Sequence, residues 1–131
     1  MTDKIPIHLD KPLAFIDIEA TGLNPRTDRI IELAIAIITN ENNEKMVTLR
    51  FNPQVPIPSE ATAIHGISDK DVASCPTFKE KADEILNILG NNDIAGFNVA
   101  RFDIPILLEE FYRASKTFSL ESRRIIDIQR I

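Results

Sequence analysis

A single cysteine, Cys75, is present in 131 residues. No disulfide can close within the chain, and a cysteine-based zinc finger or ribbon is excluded. That usage suits a reducing cytoplasm. No apolar stretch approaches the ~20 residues that a membrane-spanning helix needs, so no membrane partner is expected. The first ten residues, MTDKIPIHLD, lack the apolar centre of a secretory signal. Glycine is scarce, at 4, and no Gly/Ser linker, internal repeat or low-complexity segment interrupts the chain. A Gly-rich phosphate loop is missing too, which argues against an NTPase or a dinucleotide enzyme. No serine sits in a nucleophile-elbow context.

What is present reads as one globular domain: 44% hydrophobic and 27% charged residues. A chain of this length buries roughly two-thirds of its unfolded surface on folding. Its net charge is -5, from 15 basic and 20 acidic residues. That balance does not suit a protein that coats DNA, but it suits an enzyme whose carboxylates hold cations.

Apolar periodicity predicts the elements. Residues 1–12 read as a short arm ending at Pro12, and residues 13–131 as the domain. LAFIDIE, 13–19, and RIIELAIAII, 29–38, have the length and β-branching of buried strands. Between them TGLNPRTD is turn chemistry. KMVTLRF, 45–51, alternates, with Val47, Leu49 and Phe51 on one face, so three strands form an antiparallel meander. Residues 52–76, with four prolines, read as loop. A helix is expected over 77–89, with Thr77 as N-cap and Gly90 as stop. A strand at 93–97, a helix at 104–115 with Pro105 in its first turn, and a strand at 124–128 follow. The order βββαβαβ describes an α/β domain with a mixed sheet flanked by helices.

Asp17 and Glu19 stand two apart in the first strand, so both side chains share a face, with Cα atoms roughly 6.5–7 Å apart. Two adjacent carboxylates are costly to bury, and a hard divalent cation is the natural compensation. The competing reading is that both lie at the strand's end and face water. Asp103, in GFNVARFDIP, falls at a sheet edge where sites gather in α/β folds, and before Ile104-Pro105 it also suits a helix N-cap. Glu32 is placed to pair with an arginine or to line the same site. Asp127 reads as structural. His65, in ATAIHGIS, suits either substrate contact or a loop-stabilising hydrogen bond. Cys75 reads as a small apolar filler.

Taken together, the segments resemble the DEDD-type 3′–5′ exonucleases, the family of the proofreading epsilon subunit of bacterial DNA polymerase III and of ribonuclease T. FIDIEATGLNPRTDRIIELA resembles the first motif, IHGISDKDVASCPTF the loop into the first helix, and GFNVARFDIPIL the second motif. The resemblance implies a ribonuclease-H-like fold and two Mg²⁺ or Mn²⁺ ions held by four acidic residues. Asp17, Glu19 and Asp103 match three of those acids and carry the catalytic assignment. Thr21, Gly22 and Leu23 match positions that hold the terminal nucleotide, with Leu23 as an apolar wedge. Ala20, where many members have Thr, and His65 join them as substrate contacts. Asn98 matches the residue that orients the second motif; Phe97 precedes it where many members have His.

The third motif, with a general-base His or Tyr and the fourth acid, has no counterpart before Ile131, and neither His8 nor His65 is placed to replace it. The expectation is therefore a domain incomplete at its C-terminus, its closing helices missing, and inactive or weak as it stands. The implied activity is hydrolysis of terminal phosphodiesters of DNA, or of RNA, at a single-stranded 3′ end, with Arg101 and Lys116 against the backbone. A DNA polymerase subunit is an expected partner. The alternative is an end-binding or adaptor module with degenerate catalysis. An uncovered sheet face, including Ile125 and Ile126, is expected to promote self-association.

Overall fold

The computed structural model describes residues 9–41 and 44–129. Residues 1–8 of the expected arm, with His8, and the last two residues lie outside the described set. β1 (Leu13–Ala20), β2 (Ile30–Ile38) and β3 (Glu44–Arg50) form the meander, followed by β4 (Asp93–Phe97) and β5 (Ile125–Ile128). The sheet order is β3-β2-β1-β4-β5. β1 pairs antiparallel with β2 and parallel with β4, which in turn pairs parallel with β5.

Register explains what each face carries. Ala14, Ile16 and Ile18 of β1 align with Ile37, Ile35 and Leu33 of β2. This face packs under α3 (Phe78–Leu89) and α4 (Ile104–Arg113), with Ile85, Leu89, Ile106 and Leu107 fully buried. A run of rings, Phe51, Phe78, Phe111 and Phe118, crosses the layer at centroid spacings of 5.4, 5.1 and 5.2 Å. α3 starts where expected: Thr77 Oγ1 accepts the Glu80 N–H and the Glu80 carboxylate accepts the Thr77 N–H.

The segment 52–76 departs from the loop expectation. It holds two short helices, α1 (Ser59–His65) and α2 (Asp69–Val72). Its prolines fall outside those helices, Pro58 at the α1 N-cap, and Gly66 closes α1 in the left-handed region at φ 77°. The apolar residues Ile57, Ala61, Ile67 and Val72 pack on Ile31 as a second small core, with Cys75 beside it.

The opposite sheet face is open. Phe15 and Phe97 meet edge to face at 5.6 Å, and Met46, Ile126 and Ile128 are exposed. Ile125 is not part of this surface. Period two turns it to the covered core while Ile126 faces out.

Candidate active site

β1 carries Asp17 and Glu19 on the open face, as the period-two spacing requires, with Asp17 inside the strand and Glu19 next to its last residue. They are not both buried: Asp17 is exposed and Glu19 half-buried. The carboxylate that bears the cost of burial is Asp103, only 6% exposed. β4 ends at Phe97, and Asn98 takes a left-handed conformation, φ 57°, that turns the chain. A five-residue π turn, Val99–Asp103, then leads directly into α4. Asp103 is itself helical, φ −62° and ψ −46°, and its side chain makes no capping bond. The N-cap reading is thereby replaced: the chain enters α4 already wound, and the Asp103 side chain makes no bond to the first turn.

The electrostatics couple these acids. Burial, and then the charge of Asp17, push Asp103 up to about 7; hydrogen bonds from its own backbone and that of Ile18 oppose the rise, and Asp127 adds to it. Glu19 is raised by its partial burial and by Asp17, lowered by His65 and raised by Glu32. Among the described residues, no group of three or more His, Cys, Asp or Glu side chains is close enough to form a ready-made ion cage. The charge of Asp17 nevertheless acts on both Glu19 and Asp103 and raises each of them. Hard oxygen donors that repel one another fit a divalent cation, which removes the repulsion that raises their affinity for protons.

Beside them lies a cleft of about 700 Å³, lined by Glu19, Asp103, the Ala20–Leu23 loop, α1 and the turn after β4, Asn98 included. Leu23 projects from its rim, 84% exposed. Thr21 is buried at 3%, its N–H donating to the Arg29 carbonyl at 2.9 Å. His65 ends α1 and lines the cleft. Its Nδ1 accepts the Ile67 N–H at 3.1 Å and its Nε2 meets the Ala20 carbonyl at 3.2 Å. The second contact needs a proton on Nε2, and the ring braces α1 against the end of β1.

A family model described as Exonuclease (RNase_T) matches residues 14–129. The chain belongs to this exonuclease family. It is 34% identical over 107 residues to the DNA polymerase III subunit epsilon of Buchnera aphidicola subsp. Schizaphis graminum, covering 77% of this chain and 46% of that one. It is 33% identical over 114 residues to an uncharacterized exonuclease of Escherichia phage 186, covering 87% and 54%. The chain thus spans about half the length of these relatives. Escherichia coli Exonuclease I, solved with a dT13 oligonucleotide, superposes with a TM-score of 0.80 at 21% identity, covering 90% of this chain and 28% of that one. The exonuclease-family sheet, mixed and five-stranded with helices, is therefore the ribonuclease-H-like fold.

Other expected positions in this exonuclease domain resolve differently. Glu32 takes the first of the two roles foreseen for it: Arg50 Nε donates to Oε2 at 2.8 Å, and although Glu32 stands opposite Glu19 in the register it does not line the cleft. Asp127 Oδ2 accepts the Ala100 N–H at 3.2 Å, bracing the π turn, while Oδ1 is buried with no hydrogen-bond partner among the described residues. Arg101 lines the cleft. Lys116 does not; it pairs with Asp83 at 2.8 Å. Sequence reasoning missed Asp28, which lines the cleft as well. Nothing in the spacing of TGLNPRTD reveals that the turn folds back on its own last residue.

Proposed function

We propose that this domain hydrolyses the terminal phosphodiester at the 3′ end of a single strand of DNA. One observation carries the reading: a buried carboxylate, Asp103, raised to about 7 by burial and by Asp17, lies on a cleft rimmed by an exposed apolar side chain. Such a site is poised for a cation and for the end of a chain rather than its middle. The names of the relatives, epsilon subunits of DNA polymerase III among them, support the same reading.

In it Asp17, Glu19 and Asp103 hold Mg²⁺ or Mn²⁺. The chemistry supplied by bound divalent cation is activation of a water and neutralisation of phosphate charge. The chain's own residues bind and orient. Leu23 packs on the terminal base, the Ala20–Gly22 backbone and Asn98 border the sugar, and Arg101 offers a cation to the phosphate. His65 keeps the α1 wall in place and holds its Nε2 proton on the Ala20 carbonyl. A DNA polymerase subunit is the proposed protein partner, self-association through the open sheet face the proposed contact between copies, and the cytoplasm the proposed setting.

The test is a 5′-labelled single-stranded oligonucleotide incubated with the protein and Mn²⁺. Shortening from the 3′ end that Asp17→Asn abolishes supports the reading. Internal cleavage, or trimming unaffected by Asp17→Asn, overturns it.

A second reading, an end-binding module without catalysis, is favoured by one feature. His65 is the only histidine among the described residues, and both its ring nitrogens are engaged. Tight 3′-end binding with no shortening distinguishes it.

A further inference from the structure

The loop that carries Leu23 is built around one carboxylate. Asp28 closes the turn between β1 and β2, and its two oxygens reach back to opposite ends of a short arc. Oδ1 accepts the Thr21 hydroxyl at 2.9 Å and Oδ2 accepts the Asn24 N–H at 2.9 Å. Gly22 lies between those donors. A Cβ on Gly22 would stand 2.5 Å from Asp28 Oδ2 and 2.8 Å from Cγ and Oδ1. The backbone of the arc therefore wraps the carboxylate as closely as atoms allow, and only a glycine permits it.

The direction of each bond is fixed. Thr21 Oγ1 accepts the Arg29 N–H at 3.0 Å, which commits its own proton to Asp28. Asp28 N–H donates to the Asn24 carbonyl at 2.8 Å, closing the far side. From α4, Arg113 clamps the returning limb: Nη2 donates to the Arg26 carbonyl at 2.8 Å and Nη1 to the Asp28 carbonyl at 3.3 Å. Leu23 sits at the apex of this arrangement, 84% exposed. An exposed leucine on a free loop samples many positions, and ordering it on binding would cost entropy. One held in an arc whose ends, Thr21 and Asn24, are tied to a single carboxylate is ordered in advance.

We propose that Asp28 is a positioning residue for the strand end. By holding Thr21 and Asn24 it presets Leu23 against the last base, and it acts through Leu23 without touching the scissile phosphate. This rests on the exonuclease reading for what Leu23 meets; the hold on the loop stands on the geometry alone. Only a carboxylate offers two acceptors here. In Asp28→Asn one of the two positions becomes an NH₂ donor, so one of the two bonds is lost.

The test has two arms on the 131-residue chain. Amide hydrogen exchange followed by NMR reads the hold itself. In Asp28→Ala the Asn24 amide exchanges at least tenfold faster, Asp28→Asn lies between, and the β1–β2 ladder keeps its protection. Unchanged Asn24 exchange overturns the proposal. Affinity for a short 5′-fluorescein-labelled oligothymidylate, measured by anisotropy in Ca²⁺, reads the consequence. Asp28→Ala and Leu23→Ala each weaken binding about tenfold, and the double variant is no weaker than Leu23→Ala alone, because both act through one contact. Losses that multiply overturn the proposal while leaving the exonuclease reading intact. Failure of the wild-type chain to bind any oligonucleotide overturns both. Global unfolding by Asp28→Ala would appear as loss of ladder protection; Asp28→Asn, which keeps the packing, then decides by its Asn24 exchange and its pairing with Leu23→Ala.

Discussion

Arg29 and Glu110 stand 81 positions apart, and Arg29 Nε lies 3.2 Å from both oxygens of the Glu110 carboxylate. Glu110 is 1% exposed on α4, and it also accepts the Ile30 N–H at 2.8 Å and lies 3.5 Å from Arg113. The start of β2 is thus pinned to the helix that follows Asp103. Removing one partner of such a buried pair leaves an uncompensated charge. Glu110→Ala should lower unfolding free energy by about 3–5 kcal/mol in urea titration. A loss under ~1 kcal/mol, the range of exposed pairs, would show that the pair is solvated in solution.

Asp103 predicts the pH dependence of stability. Its pKa is raised from 3.8 to about 7. Between those values the folded chain binds a proton that the unfolded chain has released. The resulting stabilisation is complete below the unfolded pKa and is lost as pH rises through about 7. At ~1.36 kcal/mol per unit, the loss attributable to Asp103 is at most about 4 kcal/mol. Without divalent cation, the midpoint of urea unfolding should fall between pH 5 and pH 8, and Asp103→Asn should flatten that fall. Mn²⁺ should stabilise more at pH 8 than at pH 5. A wild-type profile that matches Asp103→Asn would refute the assignment.

Asp17 is exposed, so Asp17→Asn removes charge without packing volume. The variant should melt within a degree or two of wild type. Removing its negative charge should also ease Asp103 back toward lower pKa, visible in the Asp103 carboxyl carbon shift by NMR. Any 3′-end trimming that the wild-type chain supports should be lost.

The capping box at α3 is a stability test independent of the site. Thr77→Ala loses the acceptor for the Glu80 N–H. The expected cost is about 1 kcal/mol, read as a shifted urea midpoint with unchanged slope.

The open sheet face predicts association. Phe97, Ile126 and Ile128 project from it. Sedimentation velocity should show concentration-dependent dimers, and Ile126→Lys with Ile128→Lys should abolish them. A wild-type monomer at millimolar concentration would remove the proposed contact.

Much of the fold was legible in the sequence because it rests on local patterns. Alternation in LAFIDIE and KMVTLRF specifies strands and their faces, and the helical spacing of Phe78, Ala82, Ile85 and Leu89 specifies α3. The family was legible in the segments FIDIEATGLNPRTDRIIELA and GFNVARFDIPIL, and the match of the exonuclease family model over residues 14–129 bears it out. The period-two placement of Asp17 and Glu19 needed nothing further. The segment 52–76 misled because prolines read as loop; Pro58 in fact sits at the α1 N-cap, and a buried Ile31 draws the segment's apolar residues inward.

What the tertiary structure alone decided concerns residues whose partners are distant or whose direction depends on the backbone. The local sequence leaves Asp103 between a helix cap and a sheet-edge site residue. Only the π turn after Asn98 winds the chain early enough that Asp103 is buried without capping α4 and feels the charge of Asp17. The sequence likewise determines that Thr21, Gly22 and Leu23 form a turn. That the turn closes on Asp28 is a matter of backbone course over 4 and 7 positions, and that α4 clamps it through Arg113 depends on groups 85 and 87 positions apart meeting in space. Short-range periodicity carries no information about such meetings, because they are set by how the sheet and helix pack.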